Sequence, residues 1–413
     1  MIQQHDRLMP HTKDSAKDRH VSQTQRLFQQ DFLLLMVINF MVMTAVTAQM
    51  GTLPLYVTQL GGNAMMSGLV IGIWGLAALV ARVPVGKMID RFGRKPLIVI
   101  GLLVLVVDFG LLIFSQSLLV LILLRAFQGI GNGTQSTAVA TLVADKLPPR
   151  QLSIGLGYFS ISQTLPAAVG PAIGLLIVNH WGFQAMFYFS LGLVVVALGL
   201  TVLVRDTYNL KTQQTTAATS PVGILALLAQ VSIWAPSLVV FIAAFANAAV
   251  AAFLVQFGFE KGLPLTLVGL SFTVQALVGV LARIWFAKLY LYFHTLTLVG
   301  SSIVMIASAY VCIAFSPGIG GFLIAGGLIG LGFALLMPLM NAVVLRDVLP
   351  VQRGRATAIF SSGTDVAYGM GAIIWGIFAS YFGYFAVYCV AAILVATTLS
   401  LVMRYRQILR QSV

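Results

Sequence analysis

Read in windows of about 19 residues, the chain resolves into twelve apolar runs. They begin near Phe32, Met66, Leu97, Leu118, Leu152, Ala185, Val231, Leu265, Leu296, Gly321, Ala356 and Phe385. Each is long enough for a helix to cross the ~30 Å hydrocarbon core of a bilayer, which takes about 20 residues at ~1.5 Å each. Most linkers between runs are too short to fold alone. The exception is the polar stretch from Arg205 to Ser220, which contains TQQTTAATS and divides the runs into six and six. The pattern predicts an all-α polytopic membrane protein, with twelve transmembrane helices in two six-helix halves. Its expected parts are an N-terminal tail over residues 1–30, a first bundle over 31–204, a linker over 205–230, a second bundle over 231–403 and a C-terminal tail over 404–413.

Composition names the solvent. Of 413 residues, 59% are hydrophobic and 8% charged, against roughly 25% charged in an average soluble domain. Such a chain cannot cover itself with a polar surface, so lipid must surround it. The 39 glycines suit membrane helices, where small residues let backbones approach closely. The formal net charge of +13 does not point to nucleic acid, because the cations sit in short loops and form no basic stripe with interleaved aromatics. With the N-terminus inside, twenty Lys and Arg residues fall on the cytoplasmic side and Lys261 alone lies outside. That asymmetry predicts both termini in the cytoplasm of a cell, expected to be bacterial. The N-terminal tail has no apolar core before a cleavage site, so it reads as a cytosolic tail and not a signal peptide. Cys312 and Cys389 fall inside apolar runs, as free thiols rather than a disulfide framework.

The two halves align at a constant offset of 201 residues. Gly68 falls on Gly269, Arg82 on Arg283, Lys87 on Lys288 and Phe92 on Phe293; further along, Gly129 meets Gly330, Gly131 meets Gly332, Phe159 meets Phe360 and Gly170 meets Gly371. Chance matches are expected among so many glycines, but an Arg and a Lys at one offset are harder to dismiss. Parallel six-helix repeats imply a pseudo-two-fold axis along the membrane normal, with substrate bound between the halves near the midplane.

Between the second and third runs stands GKMIDRFGRKP, Gly86 to Pro96. It is a tight turn in which Gly93 permits the bend and Pro96 sits near the start of the next helix. This run resembles the signature loop of the major facilitator superfamily, through Gly86, Asp90, Arg91, Gly93 and Arg94. LLRAFQGIGNG in the fourth run, with Arg125, Gln128, Gly129, Gly131 and Gly133, is similar to a motif of that family's proton-coupled members. AVGPAIG in the fifth, with Gly170, Pro171 and Gly174, resembles its antiporter motif, although Leu175 stands where a second glycine is usual. The resemblance implies the twelve-helix drug or small-molecule:proton antiporter group. It also implies that Asp90 latches against the start of the eleventh helix, beside Arg353 and Arg355, where a helix N-terminus favours negative charge.

Ionisable groups at membrane depth are costly, so each is a candidate for function. They are Arg82, Asp108, Arg125, Arg283 and Asp365. Arg125 falls opposite Gly326 and Asp365 opposite Thr164, so the shared architecture alone does not account for them. Asp365 is the leading candidate to carry a proton, with Arg125 and Asp108 as further coupling candidates. Burial and a nearby arginine pull on such an acid in opposite senses, which leaves it able to load and release a proton. For Asp108 the plainer expectation is a buried structural pair with Arg82, since the two lie at roughly 16 and 10 Å from the inner face at ~1.5 Å per residue.

By the same resemblance the cavity is expected between the first, fourth, seventh and tenth spans. Its candidate lining is Asn39, Gln49, Gln128, Asn132, Phe245, Asn247, Met337 and Asn341, with Met43, Thr47, Gln135, Gln256 and Met340 beside them. Methionine and aromatic surfaces tolerate varied apolar ligands and amides orient them, which suits an amphiphilic drug-like compound. The expected partners are that small molecule, protons and the bilayer, with the protein acting as a monomer. No cofactor or metal is expected. The glycine-rich runs IGNG and GGLIGLG follow no strand and lack GKS/T, which argues against nucleotide binding. His180 and His294 stand isolated at span ends, so no catalytic constellation supports an enzyme. An importer of the same fold is the alternative in direction. VLARIWFAK and GTDVAYG resemble exporters of metal-chelating metabolites, an alternative in cargo.

Overall fold

A computed structural model describes residues 30–147, 152–205, 230–346, 348 and 353–405, without the side chains of residues 83, 90, 153, 154, 284–292, 353–355 and 358. All of its regular elements are helices: α1 (Gln30–Met50), α2 (Leu53–Gln59), α3 (Ala64–Phe92), α4 (Arg94–Leu112), α5 (Leu118–Lys146), α6 (Leu152–Leu203), α7 (Val231–Glu260), α8 (Leu265–Tyr292), α9 (Thr295–Phe315), α10 (Ile319–Arg346) and α11 (Arg353–Arg404). They make twelve spans. The first comprises α1 and α2, which part at Gly51 because Pro54, in the first turn of α2, can donate no bond back to the preceding turn. The helices α3 to α5 are the second to fourth spans. At 52 residues each, α6 and α11 would run ~78 Å if straight, more than twice the hydrocarbon thickness. They fold back at Gly182 and Gly383, whose φ values of 83° and 77° suit glycine. Thus α6 holds spans five and six, α11 holds eleven and twelve, and α7 to α10 are spans seven to ten.

The two bends lie 201 residues apart, as do Gly61 and Gly262, with φ values of 80° and 70°. Packing repeats in the same register. A Cβ on Gly129 would collide with the carbonyl of Trp74, and one on Gly330 with the carbonyl of Gln275. These are the same crossing, second span on fourth and eighth on tenth, drawn once in each half. The interface between halves follows the axis too: the second span packs on the eleventh, and the eighth on the fifth.

Among the long helices, α5, the fourth span, falls short of the apolarity that marks a membrane span by composition. Its inner face carries Arg125, Gln128, Asn132 and Gln135, all buried against neighbours, so lipid never meets them. Polar ties close both ends of the bundle. On the face bearing the chain ends, Arg94 Nε meets Asp145 Oδ2 at 2.7 Å, Lys146 Nζ meets Asp31 Oδ2 at 2.7 Å, and Lys95 Nζ donates to the carbonyl of Val204 at 2.7 Å. On the opposite face Lys261 Nζ caps the end of the ninth span, donating to Ala314 and Ser316 carbonyls at 3.0 and 2.7 Å. Desolvation there lowers the Lys261 pKa from its ordinary value.

Candidate functional site

Between the halves lies a cavity of about 430 Å³, within the usual range of small-molecule sites. Eight spans line it: the first, second, fourth, fifth, seventh, eighth, tenth and eleventh. The expectation of four spans was too narrow, because small residues on the other four (Gly75, Ala78, Ala167, Ala276 and Gly279 among them) draw those helices up to the axis. Most of the lining maps onto itself at the 201 offset: Thr47 with Ala248, Ile71 with Phe272, Trp74 with Gln275, Arg82 with Arg283, Asn132 with Phe333, and Thr164 with Asp365. The two halves thus contribute the same positions and different chemistry.

The charges in the cavity are Arg82, Asp365 and Arg283. Arg82 Nη1 and Asp365 Oδ2 form an ion pair from the second span to the eleventh, and so from one half to the other. This differs from the pairing of Arg82 with Asp108 expected from depth. Depth fixes how far along a helix a residue sits but not which way it faces. The third span packs on the fourth, which turns Asp108 toward Arg125 and Gln128, while Arg82 looks across the axis.

Arg125 is fully buried within the first half. Its Nε donates to the Val70 carbonyl at 3.1 Å, its Nη1 bonds Gln128 Oε1 and approaches Gln49 Oε1 at 3.3 Å, and its guanidinium lies 5.6 Å from the Trp74 ring. Gln128 Nε2 in turn donates to Gln49 Oε1 at 3.1 Å. Asp108 is also fully buried, and neither of its carboxylate oxygens has a hydrogen-bond partner. Trp74 stands between this network and the cavity, one of its neighbours being Arg125 and the other the open space.

Of the candidate lining, Asn132 and Asn247 face the cavity, as does Thr47 beside them. Asn247 Nδ2 donates to the Tyr368 hydroxyl, itself a lining group, at 2.7 Å. The others do not line it. Asn39 Nδ2 donates to Ser162 Oγ at 2.9 Å between spans one and five, Gln49 and Gln128 belong to the Arg125 network, and the Phe245 carbonyl accepts from Trp375 Nε1 at 2.8 Å. Met337 and Asn341 lie further along the tenth span. Gln256 seals the face opposite the chain ends. Its Nε2 lies 2.8 Å from the Pro54 carbonyl and 3.0 Å from Thr58 Oγ1 and Ser67 Oγ, all in the other half. The lining groups that sequence reasoning passed over, Trp74, Gln275 and Tyr368, were within reach of the repeat, since each sits at a matched position, whereas Arg283 was already among the candidate charges.

Gly170 and Gly174 form the crossing of the first and fifth spans, where a Cβ would meet Thr47 Oγ1 or the Ala48 carbonyl, and Pro171 lines the cavity. Leu175 is buried against Gly51 and Gly269, so the departure from the glycine pattern fills the interface between halves. In the loop run, Gly93 turns with φ 89°, Arg94 is held by Asp145, Arg91 lies over the Phe92 ring at 5.2 Å, and Gly86 is exposed. The expected latch falls on Asp90, Arg353 and Arg355, whose side chains lie outside the described residues.

The sequence profile of the Major Facilitator Superfamily matches residues 35–342 and 293–411. The chain is 25% identical to the staphylopine export protein of Staphylococcus aureus over 383 residues, covering 88% of this chain and 93% of that one. It is 26% identical to the multidrug resistance protein MdtG of Serratia proteamaculans over 379 residues, covering 86% and 89%. A solved structure of nucleoside transporter NupG matches with a TM-score of 0.77 at 14% identity, over 92% of this chain and 99% of that one.

Proposed function

Since this chain belongs to the Major Facilitator Superfamily, a family of membrane transporters, we propose that it exports a small, largely apolar organic compound in exchange for protons. The observation that carries this reading is the Arg82–Asp365 pair, which joins the halves inside the cavity between them. An ionised Asp365 holds Arg82 and so resists separation of the halves at that depth. A proton on Asp365 removes one charge of the pair and frees the halves to rock about the cavity. On the side where Asp365 gives its proton up, the pair forms again and the cycle can take cargo in the opposite sense. The acid therefore senses the gradient and the cavity carries the load.

Export rather than import is supported by the Gly170, Pro171 and Gly174 run and by the likeness to the two export and resistance proteins. The likeness to the staphylopine export protein favours a second reading of the cargo, a secreted metabolite in place of a foreign drug. The protein is placed in the plasma membrane with both chain ends in the cytoplasm, from the cation asymmetry. Each chain encloses a complete cavity, which supports function as a monomer, and Asp90 with Arg91 and Arg94 is assigned the gating loop.

The test is flux of a panel of amphiphilic fluorescent compounds in proteoliposomes with an imposed pH gradient. The wild type is expected to move at least one compound against proton entry. Asp365→Asn is expected to lose pH-driven flux while keeping substrate exchange without a gradient. Full pH-driven flux in Asp365→Asn defeats the coupling assignment, and flux in the same direction as protons defeats export.

A further inference from the structure

The pseudo-two-fold axis repeats the Arg82–Asp365 crossing on its other side, and the repeat is incomplete. Position 82 maps to Arg283 of the eighth span, and position 365 maps back to Thr164 of the fifth. The second span packs on the eleventh and the eighth on the fifth, so the two crossings are equivalent. All four side chains line the one cavity. One crossing holds a cation with its anion. The other holds a cation and a hydroxyl.

Arg283 lies more than two turns inside a helix that continues to Tyr292, and among the described residues it has no ion-pair or hydrogen-bond partner. Asp365 is the only acid in the lining and Arg82 neutralises it, so the walls keep one uncompensated positive charge. An arginine at such depth is costly to leave alone, and a planar guanidinium is matched best by a carboxylate that takes two of its N–H groups. We propose that Arg283 recognises a carboxylate of the transported compound, which occupies the place that Asp365 fills across the axis. The apolar remainder of that compound lies against Trp74, Phe272 and Phe333. The cargo class is therefore an organic acid with one anionic end and an aromatic or aliphatic body. This rests on the reading of the cavity as the transport site.

The test compares 1-naphthylacetate with its neutral counterpart 1-naphthylacetamide, binding to the full chain in nanodiscs of uncharged lipid, by equilibrium dialysis against empty nanodiscs. A charge-assisted bond predicts that the wild type prefers the carboxylate by roughly tenfold or more. Arg283→Gln is expected to lose that preference and keep its affinity for the amide, which also reports that it is folded. Arg283→Lys should retain part of the preference. Thr164→Asp, which supplies the missing acid from within, should abolish it. An unchanged preference in Arg283→Gln, or equal binding of both probes by the wild type, overturns the inference. In the second case a persisting pH-driven flux leaves the transport reading standing. If the wild type binds neither probe, the cavity reading and the inference fall together.

Discussion

At the scale of single residues, the two intramembrane acids differ in what surrounds them. Asp108 is shut away beside Arg125, with both oxygens unbonded, and it does not line the cavity. Asp365 and Arg82 keep side-chain exposures of 36% and 41%, so water and cargo reach them. Removing one member of a buried charge pair strands the other at a cost of about 3–5 kcal/mol, whereas an accessible pair is worth about 0–1 kcal/mol. Asp108→Asn is therefore expected to lower the thermal unfolding temperature in detergent while leaving pH-driven flux per folded molecule near that of the wild type. Asp365→Asn should show the reverse pattern. Adding Arg125→Gln to Asp108→Asn should recover part of the lost stability, because the stranded guanidinium is then gone. A loss of coupling in Asp108→Asn without a loss of stability would reassign the proton to the buried network.

At the scale of helices, close approach is set by glycine where backbones touch. A Cβ on Gly174 would collide with the Ala48 carbonyl, and backbone cannot step aside, whereas Gly199 has nothing within 4 Å. Gly174→Ala is expected to cost ~1–3 kcal/mol, as overpacking does, and Gly199→Ala about 0.5 kcal/mol or less. Thermal melts of both proteins check the contrast. The elements themselves were legible in the sequence, since hydropathy and one offset supplied twelve spans and their grouping. The bends at Gly182 and Gly383 obey that same offset. What depth and hydropathy do not carry is the direction a side chain faces around its helix. That is why Arg82 was expected beside Asp108, and why Asn39 and Gln49, polar and correctly placed in depth, turn into helix contacts instead of the cavity. The small residues that bring the second, fifth, eighth and eleventh spans to the axis carry no chemical signal of their own. They become visible only when read in pairs across the repeat.

At the scale of the molecule, a polar tie between the two halves at the face opposite the chain ends centres on one amide. Gln256 shares two N–H groups among the Pro54 carbonyl, Thr58 Oγ1 and Ser67 Oγ, and its own oxygen accepts from the Tyr384 hydroxyl at 3.1 Å. Spans one and two of the first half and spans seven and twelve of the second thus meet through it. Alternating access requires that this seal open when the cavity turns to the other side, so its strength belongs to the balance between the two states. Two hydrogen bonds at about 1 kcal/mol each, lost only in the sealed state, shift that balance by roughly thirtyfold, since 1.4 kcal/mol is about tenfold. Gln256→Leu keeps the bulk and removes the bonds. With Cys312 and Cys389 replaced by alanine and Ala251, a cavity residue, replaced by cysteine, an impermeant maleimide added to the face opposite the chain ends should label Gln256→Leu much faster than the Gln256 parent. Labelling from the other face should slow in proportion, because one population grows at the expense of the other. Equal rates from both faces in both proteins would mean that the seal is held by apolar packing around Leu175 and Gly269, with the amide only filling a polar gap.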